Sequence, residues 1–173
     1  LVDGNSTDDT VEVARSLWPR LKVVPQRGRG KGDALITGFG ACTGDIIVMV
    51  AADGSAAGGE IVSYVSALVS GADFAKGSRF ANGGGTDDMT FVRKLGNWAL
   101  CTVVNRKFGA RYTDLCYGYN AFWRHCLDKI DIDCTGFEVE KLMNIRVVKA
   151  GPVSYPNLKL PTICRSYLSG VPV

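Results

Sequence analysis

The chain has 173 residues, 46% hydrophobic and 21% charged, which fits one globular domain and excludes a disordered or collagen-like chain. Its 20 basic and 17 acidic residues leave a net charge of +3, too mild for a dedicated nucleic-acid binder and compatible with an anionic small ligand. No apolar run approaches the roughly 18 residues of a membrane helix, and the opening LVDGNSTDD has no basic signal-peptide start.

In chain order, Leu1–Val2 reads as the end of a strand running into Asp3. Ser6 or Thr7 then caps a helix with Asp8 and Asp9 in its first turn and Val11, Ala14, Leu17 and Trp18 as its apolar stripe, ended by Pro19. Leu21–Val24 is a short strand. The loop QRGRGKGD follows, and then a helix over Ala34–Cys42. Asp45–Ala52 is a continuous apolar run, the pattern of a strand buried on both faces, with Asp53 and Gly54 at its carboxyl end. Ile61, Tyr64, Val65 and Leu68 repeat at helical spacing. Phe74–Lys76 is a strand leading into GSRF, and Ala81–Asp88 is a flexible glycine loop. A long helix spans about Met89–Phe108, a strand about Tyr117–Phe122 and a helix about Phe137–Ala150. The tail after Pro152 has no clear period.

Strands alternating with helices at this spacing give an α/β class with a mainly parallel sheet. Ligands of such sheets bind beyond the carboxyl ends of the strands. Asp3, the QRGRGKG loop and Asp53 with Ser55 all fall there. The six cysteines, Cys42, Cys101, Cys116, Cys126, Cys134 and Cys164, form no CxxC. They read as reduced thiols of a cytosolic protein.

Several clusters suit a phosphorylated ligand. In QRGRGKGD, Arg27, Arg29 and Lys31 alternate with Gly28, Gly30 and Gly32. Glycines let backbone N–H groups approach an anion, and the basic side chains and the following helix start neutralise it. Neither GxxxxGK[ST] nor GxGxxG is present. Asp53, at the end of a buried strand, can ligate a hard divalent cation that shares its substrate's phosphates. The same residue also reads as an ordinary Asp-Gly turn. Arg79 in GSRF and Arg93 early in the long helix can each clamp phosphate oxygens. Glu138 and Glu140 sit at a helix start, two residues apart, so only one faces a cleft. His125 is the sole histidine and has no GxSxG partner, which argues against a serine hydrolase.

The segments VDGNSTDDT, GRGKGDAL, GDIIVMVAADGS, GADFAKGSRF, DLCYGYNAF and GFEVE, in this order, resemble a family 2 glycosyltransferase of the dolichol- or polyprenol-phosphate mannose synthase type. The likeness covers residues 1–150 as the catalytic domain and leaves 151–173 as a divergent tail. It implies a GT-A fold and Mg²⁺ or Mn²⁺. It implies a GDP- or UDP-hexose donor and inversion at the anomeric centre. The acceptor would be a polyprenyl phosphate or another group, met in the cytoplasm at the inner face of a membrane by peripheral contact. By the same resemblance, Asp3 contacts the nucleotide base. Gly28, Arg29, Gly30, Lys31 and Asp33 flank the nucleotide, and Arg79 and Arg93 handle phosphate. Asp53 and Ser55 are the metal ligands. Asp114 and Glu140 are acidic residues of the acceptor half, Asp114 being the first candidate for a base where the acceptor is a hydroxyl.

Three departures stand out. The family's Asp-x-Asp reads Ala51-Ala52-Asp53. The resemblance begins after the family's first strand, which implies an open sheet edge. The family's later Arg-x-x-Gly-x-Ser segment has no clear counterpart. The first departure keeps open a degenerate nucleotide-sugar-binding domain without transfer activity, and the α/β architecture keeps open a sugar nucleotidyltransferase.

Overall fold

The computed structural model describes residues 1–81 and 89–150. All of the expected glycine loop except Ala81 lies outside the described residues, as do Cys164 and the 151–173 tail. Five strands and six α-helices are described: β1 Val2–Asp3, α1 Thr10–Leu17, β2 Val24–Pro25, α2 Lys31–Ala41, β3 Ile46–Met49, α3 Ile61–Val69, β4 Phe74–Lys76, α4 Phe91–Phe108, β5 Asn120–Trp123, α5 Leu127–Ile130 and α6 Val139–Lys149.

The α/β class holds, and the described strands form a mixed arrangement. β1 and β2 pair in parallel, Val2 opposite Val24. β5 runs antiparallel between β3 and β4, with Val48 opposite Ala121 and Ala75 opposite Ala121. β3 and β4 are therefore parallel to each other across it, joined through α3 as in a crossover unit. Chain order alone hides this, because β5 enters the sheet only after α4.

Alternation along the strands builds a core on each face of the three-stranded sheet. Ile47, Met49, Phe74 and Phe122 pack with Met143 and Val147 of α6. The rings of Phe74 and Phe122 stack with centroids 5.6 Å apart. On the other face Tyr64 and Leu68 of α3 meet Ala75, Tyr119 and Ala121. The expected run at 45–52 is thus a shorter strand whose residues alternate between buried and half-buried. α4 has its own small core, where Cys101 and Val104 close on Tyr112 and Leu115. β1 and β3 each carry one described neighbour, and an apolar cleft of about 480 Å³ lined by Val2, Val24, Leu35, Phe39, Ile47 and Met49 lies between the two sheets.

Two helix starts differ from expectation. α1 begins at Thr10, because the Asp3 carboxylate accepts from Ser6 (Oγ at 2.6 Å) and the Asp8 carboxylate accepts from the Thr10 N–H and hydroxyl. Its Leu17 and Trp18 are exposed, so the expected stripe is not a core face. α2 begins at Lys31, three residues earlier than expected, after Gly30 at φ 88°. Its first turn lies against the 134–136 segment. Gly32 N–H donates to the Thr135 carbonyl at 2.8 Å, and a Cβ on Gly32 would overlap the Cys134 carbonyl oxygen.

Gly32→Ala is therefore expected to destabilise the chain by about 2 kcal/mol, through backbone displacement in a packed site. Gly40→Ala, on the same helix with nothing near its Cβ, is expected to stabilise it by about 0.5–1 kcal/mol. Urea unfolding of the two variants reads both signs.

Candidate active site

A pocket of about 490 Å³ opens beyond the end of β3. Of the residues singled out from the sequence, Lys31, Asp53, Ser55, Arg79, Arg93 and Glu140 line it, together with Ala51. They come from five separate parts of the chain: the start of α2, the loop after β3, the loop after β4, the first turn of α4 and α6.

Asp53 sits one residue before Gly54, whose φ of 73° turns the chain at the strand end. Its carboxylate accepts from the Ser55 N–H at 3.0 Å. The Ser55 side-chain hydrogen bond is the main cause holding the Asp53 carboxyl below its ordinary range; burial opposes this, and the Ser55 backbone and the Lys31 charge add to it. Asp53 is an anion at neutral pH. Among the described residues no group of three or more His, Cys, Asp or Glu side chains is gathered to hold a metal. One ionised carboxylate fits a hard cation that keeps its waters and takes further ligands from phosphate.

Arg79 is fixed from behind. Its Nε and Nη2 donate to the two Asp114 carboxylate oxygens at 2.7 and 3.1 Å, and its own N–H donates to Asp114 as well. Asp114 also accepts from the Cys116 N–H at 3.0 Å, and it is fully buried. Burial works against the Arg79 charge, but the hydrogen bond and charge of Asp114 outweigh it and leave the guanidinium above its ordinary value. The guanidinium carbon lies 5.2 Å from the centre of the Tyr117 ring, a cation–π arrangement. Arg93 follows Thr90, whose hydroxyl caps α4 by accepting from the Arg93 N–H.

On the opposite wall Lys31 and Glu140 form an ion pair. Gly118 lets this pair approach the β5 entry: a Cβ there would stand 2.6 Å from the Glu140 Oε1 and 3.1 Å from the Lys31 Nζ. The buried pair Asp114–Arg79 and the cleft-facing pair Glu140–Lys31 thus hold two cations in place.

Other expected residues lie apart. Asp114 is behind the lining rather than in it, so its carboxylate is not presented to the cleft. Asp3 ends β1 with its carboxylate on Ser6 and does not line the pocket. Arg29 is exposed and outside the lining. Gly28 and Asp33 serve the loop itself, the Gly28 N–H donating to the Asp33 carboxylate at 2.9 Å. His125 stands 3.4 Å from Asp73, away from the pocket.

Two further residues belong to the site. Tyr117 lines the pocket and spans it, its hydroxyl donating to the Ser55 carbonyl at 3.3 Å. Lys76 is buried in β4, with its ammonium donating to the Tyr117 carbonyl. Burial drives its pKa down to about 8, against the pull of Asp114 and Glu140. The only sequence signal for it was a lysine at the inward end of an apolar strand.

Comparison with known proteins bears on this geometry. The family model described as Glycosyl transferase family 2 matches residues 1–130. Glycosyltransferase AglJ of Haloferax volcanii is 30% identical over 87% of this chain and 49% of its own length. The dolichol-phosphate mannosyltransferase of Pyrococcus furiosus is 30% identical over 85% of this chain and 43% of its own. The chain spans about half the length of these relatives. Among solved structures, glucosyl-3-phosphoglycerate synthase of Mycobacterium tuberculosis, in complex with Mn²⁺, UDP-glucose and phosphoglyceric acid, superposes with a TM-score of 0.62 at 21% identity, over 86% of this chain and 53% of that one. That likeness carries the GT-A fold.

Proposed function

The chain belongs to glycosyl transferase family 2, and on that premise we propose that its pocket moves a hexose from a nucleotide-diphosphate sugar to a polyprenyl phosphate. The observation that supports this is the convergence of Lys31, Arg79 and Arg93 with the ionised Asp53 in one cleft. Three cations against two carboxylates, Asp53 and Glu140, leave the cleft net positive, which suits a diphosphate leaving group better than a neutral ligand.

In this reading an acceptor phosphate oxygen attacks the anomeric carbon from the face opposite the nucleotide. The bond from that carbon to the diphosphate oxygen breaks, its electron pair leaves with the nucleoside diphosphate, and the centre inverts. The acceptor is already an anion, so no base has to remove a proton. Arg79 and Arg93 neutralise phosphate charge, and Asp114 acts as a positioning residue through Arg79. Glu140 is the carboxylate on the cleft side and would serve a hydroxyl acceptor. Asp53 with Ser55 would hold Mg²⁺ or Mn²⁺. Bound there, the cation supplies further charge neutralisation on the departing diphosphate. The named polyprenol-linked relatives support the acceptor class, and the structural neighbours bound to UDP support the donor class.

One observation favours a second reading. Ala51 lines the pocket where the motif of the family carries an acid. That substitution weakens metal binding and suits a domain that binds a nucleotide sugar without transferring it.

Thermal melting with UDP and GDP, each with and without Mn²⁺, tests the proposal. A ligand at about 100 times its Kd stabilises by about 2.7 kcal/mol. The expected result is a metal-dependent rise with one nucleotide. Asp53→Ala is expected to remove the metal-dependent part, and Ala51→Asp to raise metal affinity about tenfold or more. A cooperatively melting chain that responds to no nucleotide would overturn the proposal. Nucleotide binding without sugar transfer to a polyprenyl phosphate would favour the second reading.

A further inference from the structure

Among the described residues three aromatic rings line the cleft, those of Tyr117, Tyr119 and Phe137. Two of them are already engaged. Tyr117 is buried, with the Arg79 guanidinium over its ring and its hydroxyl on the Ser55 carbonyl. Tyr119 is buried and stacks on Tyr64, with centroids 4.3 Å apart. Phe137 is 74% exposed. A single exposed phenylalanine is ordinary on a protein surface. One that lines a polar cleft is placed to meet a ligand.

The backbone that carries this ring is fixed on both sides. Before it, the Thr135 carbonyl accepts from the Gly32 N–H at the start of α2. The Gly136 N–H donates to the Glu138 carboxylate at 3.1 Å, and a Cβ on Gly136 would stand 2.3 Å from an oxygen of that carboxylate. After it, Val139 opens α6 fully buried. A ring on a backbone held at 135, 136 and 139 has little freedom left to lose when a ligand covers it.

The groups beside the ring select its ligand. The Lys31 ammonium lies 6.0 Å from the ring centre, at the outer limit of a cation–π contact, and is paired with Glu140. A flat apolar face bordered by an ammonium and a carboxylate matches a pyranose, which carries C–H groups on its faces and hydroxyls around its rim. Such hydroxyls can donate to Glu140 and accept from Lys31. An isoprenyl chain would use the ring but leave both charges without polar partners. The Lys31 charge also reaches Asp53 across the cleft, so this wall adjoins the place read above as the diphosphate site.

We propose that Phe137 is the platform for the hexose of the donor, its ring covering the C–H face of the sugar while Lys31 and Glu140 meet the hydroxyls. The inference rests on the transferase reading and deepens it, since the sugar arrives on a nucleoside diphosphate.

Isothermal titration of the full chain with Mn²⁺ tests it, first with UDP and GDP, then with UDP-glucose or GDP-mannose, whichever carries the nucleotide that binds. Phe137→Ala is expected to weaken the sugar conjugate about three- to tenfold and to leave the bare nucleotide within about twofold of the parent. Phe137→Tyr keeps a flat ring and is expected to hold the conjugate as the parent does. The ring is exposed, so both variants should keep the parent's melting transition. An equal loss for conjugate and bare nucleotide overturns the inference, because the ring would then serve the base or the placing of Lys31. Unchanged affinity for the conjugate overturns it too, as does a Phe137→Tyr variant that binds the conjugate as weakly as Phe137→Ala. A parent that takes the bare nucleotide but not its conjugate has no sugar for the platform to hold, and the inference falls. A parent that binds neither nucleotide sinks the transferase reading and the platform together. Nucleotide binding with the same preference in parent and Phe137→Ala strikes the platform alone.

Discussion

Asp114→Ala is expected to cost about 3–5 kcal/mol in urea unfolding, the usual cost of removing one member of a buried ion pair. Two features put it at that level. Asp114 is fully buried and gathers four hydrogen bonds, three from Arg79 and one from the Cys116 N–H. The Arg79 side chain left behind is itself only 18% exposed, so water can reach it poorly. The loss comes chiefly from a stranded cation, and this makes the effect separable. Arg79→Met alone and the Arg79→Met, Asp114→Ala pair complete a double-mutant cycle. The pair is expected to be more stable than Asp114→Ala alone, with a coupling energy of about 2–3 kcal/mol. A coupling near zero would mean that Asp114 serves only the Cys116 backbone. Nucleotide binding is expected to weaken in all three, because each removes or frees the guanidinium that faces the pocket. Asp114→Asn keeps an acceptor for one guanidinium nitrogen and is expected to lose less on both counts.

This arrangement also explains what the sequence reading could and could not reach. The segments that place the pocket were legible. A basic glycine loop before α2, an Asp-Gly after a strand and an arginine after another strand each announce themselves by local chemistry. Lys31, Asp53 and Arg79 do meet in one cleft. What local chemistry does not carry is the partner of each charge. Asp114 reads as a free acid in DLCYGYN, yet 35 positions upstream an arginine takes both its oxygens. Glu140 reads as a helix-start acid, yet Lys31 is its counter-ion 109 positions away. Sheet direction is hidden in the same way. β5 lies between β3 and β4 and antiparallel to both, and its alternation is the same in either direction. The helix α1 shows the converse limit. Its apolar spacing predicts a core face, but no residue of it is buried, because periodicity says which residues share a face and not what the face meets.

Lys76→Met is expected to divide stability from binding. The Lys76 side chain is buried in β4, and its ammonium has the Tyr117 carbonyl as its hydrogen-bonded acceptor. Burial depresses its pKa from 10.5 to about 8. The unfolded chain therefore binds the proton more tightly than the folded chain between those values. Stability rises with pH across that window and is lowest, on account of this group, below about pH 8. A shift of this size corresponds to about 3 kcal/mol of instability at pH 7. Methionine removes that term but leaves the Tyr117 carbonyl without its donor, at about 1–3 kcal/mol. The expected net is a variant more stable than the parent by about 1 kcal/mol at pH 7, with the advantage shrinking by about 1 kcal/mol by pH 9. Above pH 9 the buried thiols of Cys101 and Cys126, pushed up by burial to about 11, pull stability down in both proteins, so the comparison belongs between pH 7 and 9. Binding should move the other way. The Lys76 charge faces Asp114 and Glu140 from beneath the pocket wall and offsets carboxylates that would otherwise repel a diphosphate. Its loss is expected to weaken nucleotide affinity about fivefold, the effect of one charge screened by a partly wet protein interior. Lys76→Arg keeps the charge but overfills a packed site, so it should lose stability, and what binding it retains reports the charge. If Lys76→Met lowered stability at pH 7, the ammonium would be a structural cation after all. A gain in stability together with a loss of affinity is the result expected of a buried charge retained for the ligand.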